Sequence, residues 1–190
     1  MSISLSIAAV TVQPPEGESL AQLAERLQAR EEGALEILIE RTQSACSRLA
    51  VSILKDPELS RDALQEAYFV VYQRIGQLRD PLAIKSWLFR IVTHCCHDIL
   101  RRRGKEIQVE VEVAAAAPDL AEGVGRQETI RATFAQLPEI DRTTLALREV
   151  CSMSYEEMAA VLQVPLGTVR SRLAKARQRF IDKFKGVQHD

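Results

Sequence analysis

From Leu20 to Phe184 the apolar residues return every three or four positions, interrupted by short polar or proline-containing breaks. That period puts them on one side of a helix rather than on alternate faces of a strand. Ser19 can cap a first helix running from Leu20 to about Arg30. After Glu31-Glu32-Gly33, a longer helix carries Leu35, Leu38, Ile39, Cys46, Leu49, Ile53 and Leu54. Lys55-Asp56-Pro57 ends it, because proline cannot continue the hydrogen-bond ladder and restricts the residue before it. A third helix buries Leu64, Ala67, Tyr68, Val71 and Ile75 as one stripe. Beyond the break at Gly76 to Pro81, a helix from about Leu82 to Arg103 puts Ile84, Trp87, Leu88, Ile91, Cys95 and Ile99 on its apolar face. Lys85, Arg90, His94 and His97 occupy its polar face, and Arg101-Arg102-Arg103 in the last turn suit the helix dipole.

The period lapses from Gly104 to Gly125, where an alanine run, Pro118 and acidic residues mark a linker. It resumes from Arg126 to Gln136 and from Pro138, a plausible first-turn proline, to Val150. Ser154-Tyr155-Glu156-Glu157 then has the form of a capping box, with a serine at the cap and a carboxylate three residues on. The helix it starts faces Met158, Ala159, Val161 and Leu162 inward and breaks at Gln163-Val164-Pro165. A last helix from Leu166 has the inner stripe Val169, Leu173, Ala176, Phe180 and Phe184. A chain of 190 residues can form one medium domain or two small ones, and the lapse divides this one. The expected fold is all-α: two small helical domains joined by a flexible linker, the second containing a helix-turn-helix. The expected organisation is a flexible tail over residues 1–18, a helical domain over 19–104, an acidic linker over 105–126 and the helix-turn-helix domain over 127–187.

Composition agrees: hydrophobic residues make up 46% of the chain and aromatic ones only 5%, a balance that suits helices better than a sandwich or barrel. The formal net charge of -1 conceals a segregation that matters more. Six basic residues and only Asp98 lie between Lys85 and Lys105, and seven basic residues and only Asp182 lie between Arg170 and Lys185. Six acidic residues against Arg126 separate them, from Glu106 to Glu128. Two basic segments around an acidic one suit two contacts with a polyanion joined by a stretch that avoids it. On the last helix, Arg170, Ser171, Arg172, Lys175, Arg177, Gln178 and Arg179 gather opposite the apolar stripe, as in a helix that packs on one side and enters the major groove on the other. The plainer alternative is a solvated cationic face on an ordinary bundle helix.

The residues exclude several other classes. No apolar run approaches the roughly 18 to 20 residues needed to span a bilayer, and Met1 to Val12 lacks the basic leader of a signal peptide, so a cytoplasmic protein without direct membrane insertion is expected. Cys46, Cys95, Cys96 and Cys151 are expected as reduced structural thiols. His94-Cys95-Cys96-His97 invites comparison with a metal site or redox switch, but neighbours on a helix point about 100° apart, so no metal and no cofactor is expected. No glycine loop, zinc-peptidase pair or nucleophile elbow points to an enzyme.

Leu137-Pro138, Leu147-Arg148-Glu149, Ser154 to Ala159 and Gly167-Thr168-Val169-Arg170-Ser171-Arg172-Leu173 closely resemble the fourth conserved region of extracytoplasmic-function sigma factors. Asp62-Ala63-Leu64-Gln65-Glu66-Ala67-Tyr68, Ser86 to Ile91 and Asp98 to Arg103 resemble the second region of the same family, so two motif sets stand in the right order over roughly residues 20 to 185. The resemblance implies a dissociable transcription initiation subunit that binds core RNA polymerase and promoter DNA. By position, Arg170, Ser171, Arg172 and Lys175 would contact the minus-35 element, with Arg177 and Arg179 supporting backbone contacts. Lys85, Arg90, His94, Arg101, Arg102 and Arg103 would serve the minus-10 element, with the loop Gln77 to Ala83 facing the melted strand. Asp62, Gln65 and Glu66 would dock on the clamp coiled coil of the largest polymerase subunit, although spacing alone favours a solvated face for this trio. The resemblance also implies an anti-sigma partner, able to hold the factor at the membrane. Trp87 sits on the apolar stripe and reads as core rather than as a base-stacking residue.

Three residues depart from the family pattern: His94 where Asn is frequent, Gln163 where glycine is common, and Cys151 where a small residue such as glycine is usual. Gln163 in a turn that calls for positive φ costs about 1 kcal/mol. Two rivals compete with this reading: a dimeric operator-binding regulator that needs no polymerase, and a switch centred on Cys95 and Cys96.

Overall fold

In the computed structural model, which describes residues 17–109 and 126–187, two helical domains pack against each other. The first comprises α1 (Leu20–Gln28), α2 (Ala34–Leu54), α3 (Pro57–Arg74) and α4 (Ile84–Val109). The second comprises α5 (Arg126–Ala135), α6 (Glu139–Leu145), α7 (Tyr155–Leu162) and α8 (Leu166–Val187). The expected tail, apart from Gly17 and Glu18, and most of the expected linker lie outside the described residues. No helix among the described residues is long and apolar enough to cross a membrane.

Local chemistry sets the helix ends. Ser19 accepts from the Gln22 amide while the Gln22 side chain accepts from the Ser19 amide, closing a capping box on α1. Asp56 accepts from the Glu58 and Leu59 amides at the start of α3, with Pro57 in the first turn where a missing donor costs nothing. α2 ends on Lys55 at φ 59°, a left-handed cap taken here by a residue other than glycine. Leu23, Ile37, Leu38, Leu49, Ile53, Ile75, Ile84 and Leu88 fill the first core. Inside it the Tyr68 hydroxyl lies 2.9 Å from Thr42 Oγ1, which donates to the Leu38 carbonyl.

Two elements differ from the sequence expectation. The deepest side chains of α4 are Ile84, Leu88, Phe89, Val92 and Cys96, whereas Trp87, Ile91, Cys95 and Ile99 are only half-buried. The inner face is rotated because α4 packs on α2 and α3 and also on α7, so a single-stripe reading cannot locate its centre. The expected helix from Pro138 to Val150 is two pieces. Pro138 is the cap rather than the first turn of α6, and Ala146–Val150 forms a π-helical turn in which the Cys151 amide donates to the Ala146 carbonyl at 3.0 Å.

The packing of one domain on the other is absent from any periodicity. Ala146, Leu147, Cys151, Met153, Met158, Val161 and Val169 of the second domain join the core of the first. A polar exchange locks the seam. Arg142, 6% exposed, donates from Nη2 to the Ile53 carbonyl at 2.9 Å, from Nε to the Ser52 carbonyl at 3.2 Å and from Nη1 to the Leu137 carbonyl. Ser52 and Ile53 stand in the last turn of α2, whose carbonyls have no helical donor. Reciprocally, Lys55 Nζ donates to the Ala135 carbonyl at the end of α5, 3.1 Å away. Each domain thus sends a cation to a helix C-terminus of the other. Lys85 pairs with Glu157 at 3.0 Å, and His97 Nε2 lies 3.2 Å from Glu139 Oε1 but outside hydrogen-bond geometry.

Arg142→Met keeps the aliphatic stem and strips the three donations. It is expected to cost about 2–4 kcal/mol of the free energy holding the domains together, read as an increased radius of gyration in solution scattering. His97 supplies a pH dependence. Burial lowers its pKa below the ordinary 6.5, while Glu139 opposes that more weakly and His94 adds to it. The closed arrangement therefore binds fewer protons than the open one, so its stability is full above pH 6.5 and declines as pH falls below it. Scattering between pH 8 and pH 5 should show the domains separating toward acid, and His97→Gln should flatten that response.

Candidate nucleic-acid interface

Ser154 Oγ accepts from the Glu157 amide at 3.1 Å, and Glu157 Oε2 accepts from the Ser154 amide at 2.7 Å, fixing the start of α7. Its end is Gln163 at φ 53° and ψ 45°, so the position the sequence marks as calling for glycine does adopt the left-handed conformation. Pro165 follows, and the Thr168 and Val169 amides donate to its carbonyl as α8 begins. Val169, Leu173 and Ala176 are buried, and Phe180 and Phe184 stack with centroids 5.9 Å apart. Arg148 donates to the Met153 carbonyl and lies over the Tyr155 ring, which holds the loop entering α7.

The α8 residues assigned to DNA divide into three groups. Arg170, Ser171 and Lys175 are exposed on the free face of α8. Arg177 instead donates twice to Glu149, the shorter contact 2.6 Å, and Arg179 donates to Asp141 at 2.6 Å. Asp141 is 4% exposed, so Arg179 ties α8 to α6. Arg172 is half-buried and lines a cleft of about 210 Å³ between the domains, together with Thr93, His94, His97, Glu139 and Thr143.

On α4 the assigned residues do not form one patch. Lys85 is engaged with Glu157, while Arg101, Arg102 and Arg103 lie roughly 24 Å further along the helix axis. Arg101 pairs with Asp98 at 2.7 Å, Arg103 lies 3.7 Å from Asp56, and Arg90 is half-buried. Arg102 and His94 instead share a groove of about 560 Å³ with Asp62 and Glu66, so residues assigned to minus-10 DNA and to polymerase border one another. Gln65 is exposed but does not line it.

Three large apolar side chains stand exposed on α3 and in the turn before α4, of which only Leu82 falls in a segment with an expected role, the loop Gln77 to Ala83. Leu82, 81% exposed, projects from the turn before α4, where Asp80 Oδ1 accepts from its amide. Phe69 and Tyr72 are exposed on α3, and the Arg30 guanidinium sits over the Tyr72 ring at 4.6 Å. Both fall off the Leu64, Ala67, Tyr68, Val71 stripe, a signal that was available. Arg142 and Lys55 had none, because their partners are backbone carbonyls far away in sequence.

All four thiols are buried or half-buried, and burial raises each: Cys46 and Cys95 to about 11, Cys96 and Cys151 to about 12. Few would be thiolates near neutrality, which disfavours a reactive switch. In the His94-Cys95-Cys96-His97 run, His94 is exposed, Cys96 is buried and the other two lie between. Among the described residues no cluster of three or more His, Cys, Asp or Glu is placed to hold a metal.

Residues 38–106 match the family described as sigma-70 region 2, and residues 127–180 match sigma-70, region 4. The chain is 35% identical to the RNA polymerase sigma-H factor of Pseudomonas aeruginosa over 178 residues, covering 85% of this chain and 91% of that protein. It is 30% identical to the ECF RNA polymerase sigma-E factor of Escherichia coli K12, with 85% and 92% covered. Its fold is similar to CnrH, solved in complex with the cytosolic domain of CnrY, at TM-score 0.69 and 23% identity, covering 89% of this chain and 99% of that one. It is likewise similar to the sigma factor RpoE of Bartonella quintana, solved with the anti-sigma factor NepR, at TM-score 0.68 and 22% identity over 80% of this chain and 98% of that one. The chain belongs to the extracytoplasmic-function sigma factors of the sigma-70 family, subunits that direct promoter-specific transcription initiation by RNA polymerase.

Proposed function

We propose that the two domains divide the promoter between them, the first serving the minus-10 element and the second the minus-35 element. The observation that carries this reading is α8, which exposes Arg170, Ser171 and Lys175 opposite its buried stripe of Val169, Leu173 and Ala176. Arg172 joins these three when it leaves the interdomain cleft. Arg177 and Arg179, held by Glu149 and Asp141, set the pitch of α8 and reach phosphates only at the edge of the interface.

In the first domain, Leu82 offers an apolar surface to an unstacked base, and the cations Lys85, Arg90, His94 and Arg101 to Arg103 flank the strand. Asp62, Gln65 and Glu66 dock on the clamp coiled coil of the largest polymerase subunit, for which their exposed carboxylates and amide are suited. The acidic linker tethers two modest DNA contacts, which gain from effective concentration. The chain contributes no catalysis, and bond formation belongs to the polymerase. It works in the cytoplasm and is held inactive by an anti-sigma partner, which can retain it at the membrane. Both DNA-binding uses require the domains to part, because Arg172 faces His94 and Lys85 is tied to Glu157 in the closed arrangement.

Run-off transcription with purified core polymerase and a promoter library tests the reading. Specific initiation is expected from the full chain with core enzyme, and tight duplex binding without core would favour a free-standing regulator. Arg172→Ala should lose about 1–3 kcal/mol of minus-35 discrimination. An equal loss on every sequence would assign Arg172 to phosphate instead.

A further inference from the structure

Lys55 closes α2 in the left-handed conformation at φ 59°, and its side chain crosses the seam to donate to the Ala135 carbonyl, 3.1 Å from Nζ. It is exposed and lines a cavity of about 640 Å³ that no acidic side chain among the described residues lines. Two guanidiniums share that cavity. Arg48 stands two turns back on α2, roughly 10 Å along the axis, and Arg131 stands one turn before Ala135 on α5, roughly 6 Å along that axis. Both are exposed, and Arg48 donates at 2.6 Å to Ser44 Oγ, a neutral acceptor. Val51, Ile130 and Phe134 make the floor apolar. One amine and two guanidiniums therefore meet around one cavity with no carboxylate of the described residues among them.

Those surroundings change what the amine can do. An ammonium has no lone pair to give, and only the neutral amine is a nucleophile. Partial burial lowers the Lys55 pKa below the ordinary 10.5, and the charge of Arg142, whose Nη2 donates to the Ile53 carbonyl two residues away, lowers it further. More of this amine is therefore neutral near pH 8 than on a fully solvated lysine. Arg131 and Arg48 supply what a small dianion needs, planar guanidinium donors in a field of one sign. A bare phosphate would satisfy these cations and leave the apolar floor unused. A phosphate carrying a short acyl group uses both, and it brings an electrophilic carbon to the amine.

We propose that Lys55 is an acylation site that takes its acyl group from a small acyl phosphate, held by Arg131 in the added field of Arg48. The neutral amine attacks the carbonyl carbon, so that an N–C bond forms and the C–O bond to phosphate breaks. The electron pair of that bond leaves with inorganic phosphate, which also takes the surplus proton from nitrogen. The product is a neutral amide. It keeps one N–H for the Ala135 carbonyl, but the cation at the C-terminus of α5 is gone, and with it part of the attraction across the seam. Acylation thus loosens the domain contact from the Lys55 side, while Arg142 still holds the end of α2. Neither step depends on how promoters are read.

Full-length protein treated with acetyl phosphate near pH 8 is read by quantitative mass spectrometry, with Lys183 and Lys185, exposed on α8, as internal references. Lys55 should gain acetyl roughly tenfold faster than either. Arg131→Gln, at an exposed position, should erase most of that lead. It should leave the lead largely intact when the reagent is the uncharged N-succinimidyl ester of acetate, which carries no phosphate. Excess inorganic phosphate should slow Lys55 and spare the references. Lys55 reacting no faster than Lys183, a full lead kept by Arg131→Gln, or equal sensitivity of the two reagents to that substitution would overturn the acyl-phosphate assignment. The seam is read separately, by solution scattering of the treated protein. Its radius of gyration should rise, and Lys55→Arg, which keeps the cation and takes no acetyl group, should show no rise on the same treatment. An identical rise in Lys55→Arg, or none in the wild type once Lys55 is fully acetylated, would overturn the loosening of the seam.

Discussion

A helix that ends inside a protein must give its last carbonyls a donor, and α2 ends against the other domain. Arg142 meets that need from the partner domain, and Lys55 does the same in return for the end of α5. Hydrogen bonds from a charged donor are worth roughly 1.5–3 kcal/mol each, and these lie where burial already works against the guanidinium's charge. The arrangement of everything else follows from that seam: where α7 meets α4, which face of α8 is free, and which cations are engaged. Apolar contact supplies much of the attraction, since Leu147, Met153 and Met158 are fully buried in the shared core. The guanidinium supplies the register.

Helix positions were legible in the sequence because each helix has a local cause. Ser19 and Ser154 are read directly as starts, and both act as such in the structure, whereas Pro57, read as the end of α2, also opens the first turn of α3. The two domains and the helix-turn-helix follow from the same periodicity. The rotated face of α4 was not legible, since a helix with neighbours on several sides has no single stripe. Nor was the split of Pro138 to Val150, because a π turn conserves an approximate helical period while shifting its hydrogen bonds by one residue.

The candidate site was legible in kind and only partly in detail. A basic helix face announces itself by composition, but composition cannot say which cations are already spoken for. Arg170 and Lys175 are exposed, Arg177 and Arg179 are bound to carboxylates from the preceding helical segments, and Arg172 faces the other domain. Glu149 and Asp141 carry the missing information, and they become partners only through the angle at which α8 crosses α6. Similarly, Asp62 and Glu66 were expected apart from His94 and Arg102, yet α3 and α4 bring all four to one groove.

Glu157 serves both halves of the molecule with one carboxylate. Oε2 accepts from the Ser154 amide, and Oε1 faces Lys85 across the seam. The two oxygens are engaged independently, so undocking removes Lys85 without touching the bond that starts α7. The second domain can come away as an intact reading head rather than unravelling from its first helix. The chain thereby separates the question of where its parts sit from the question of whether they stay folded.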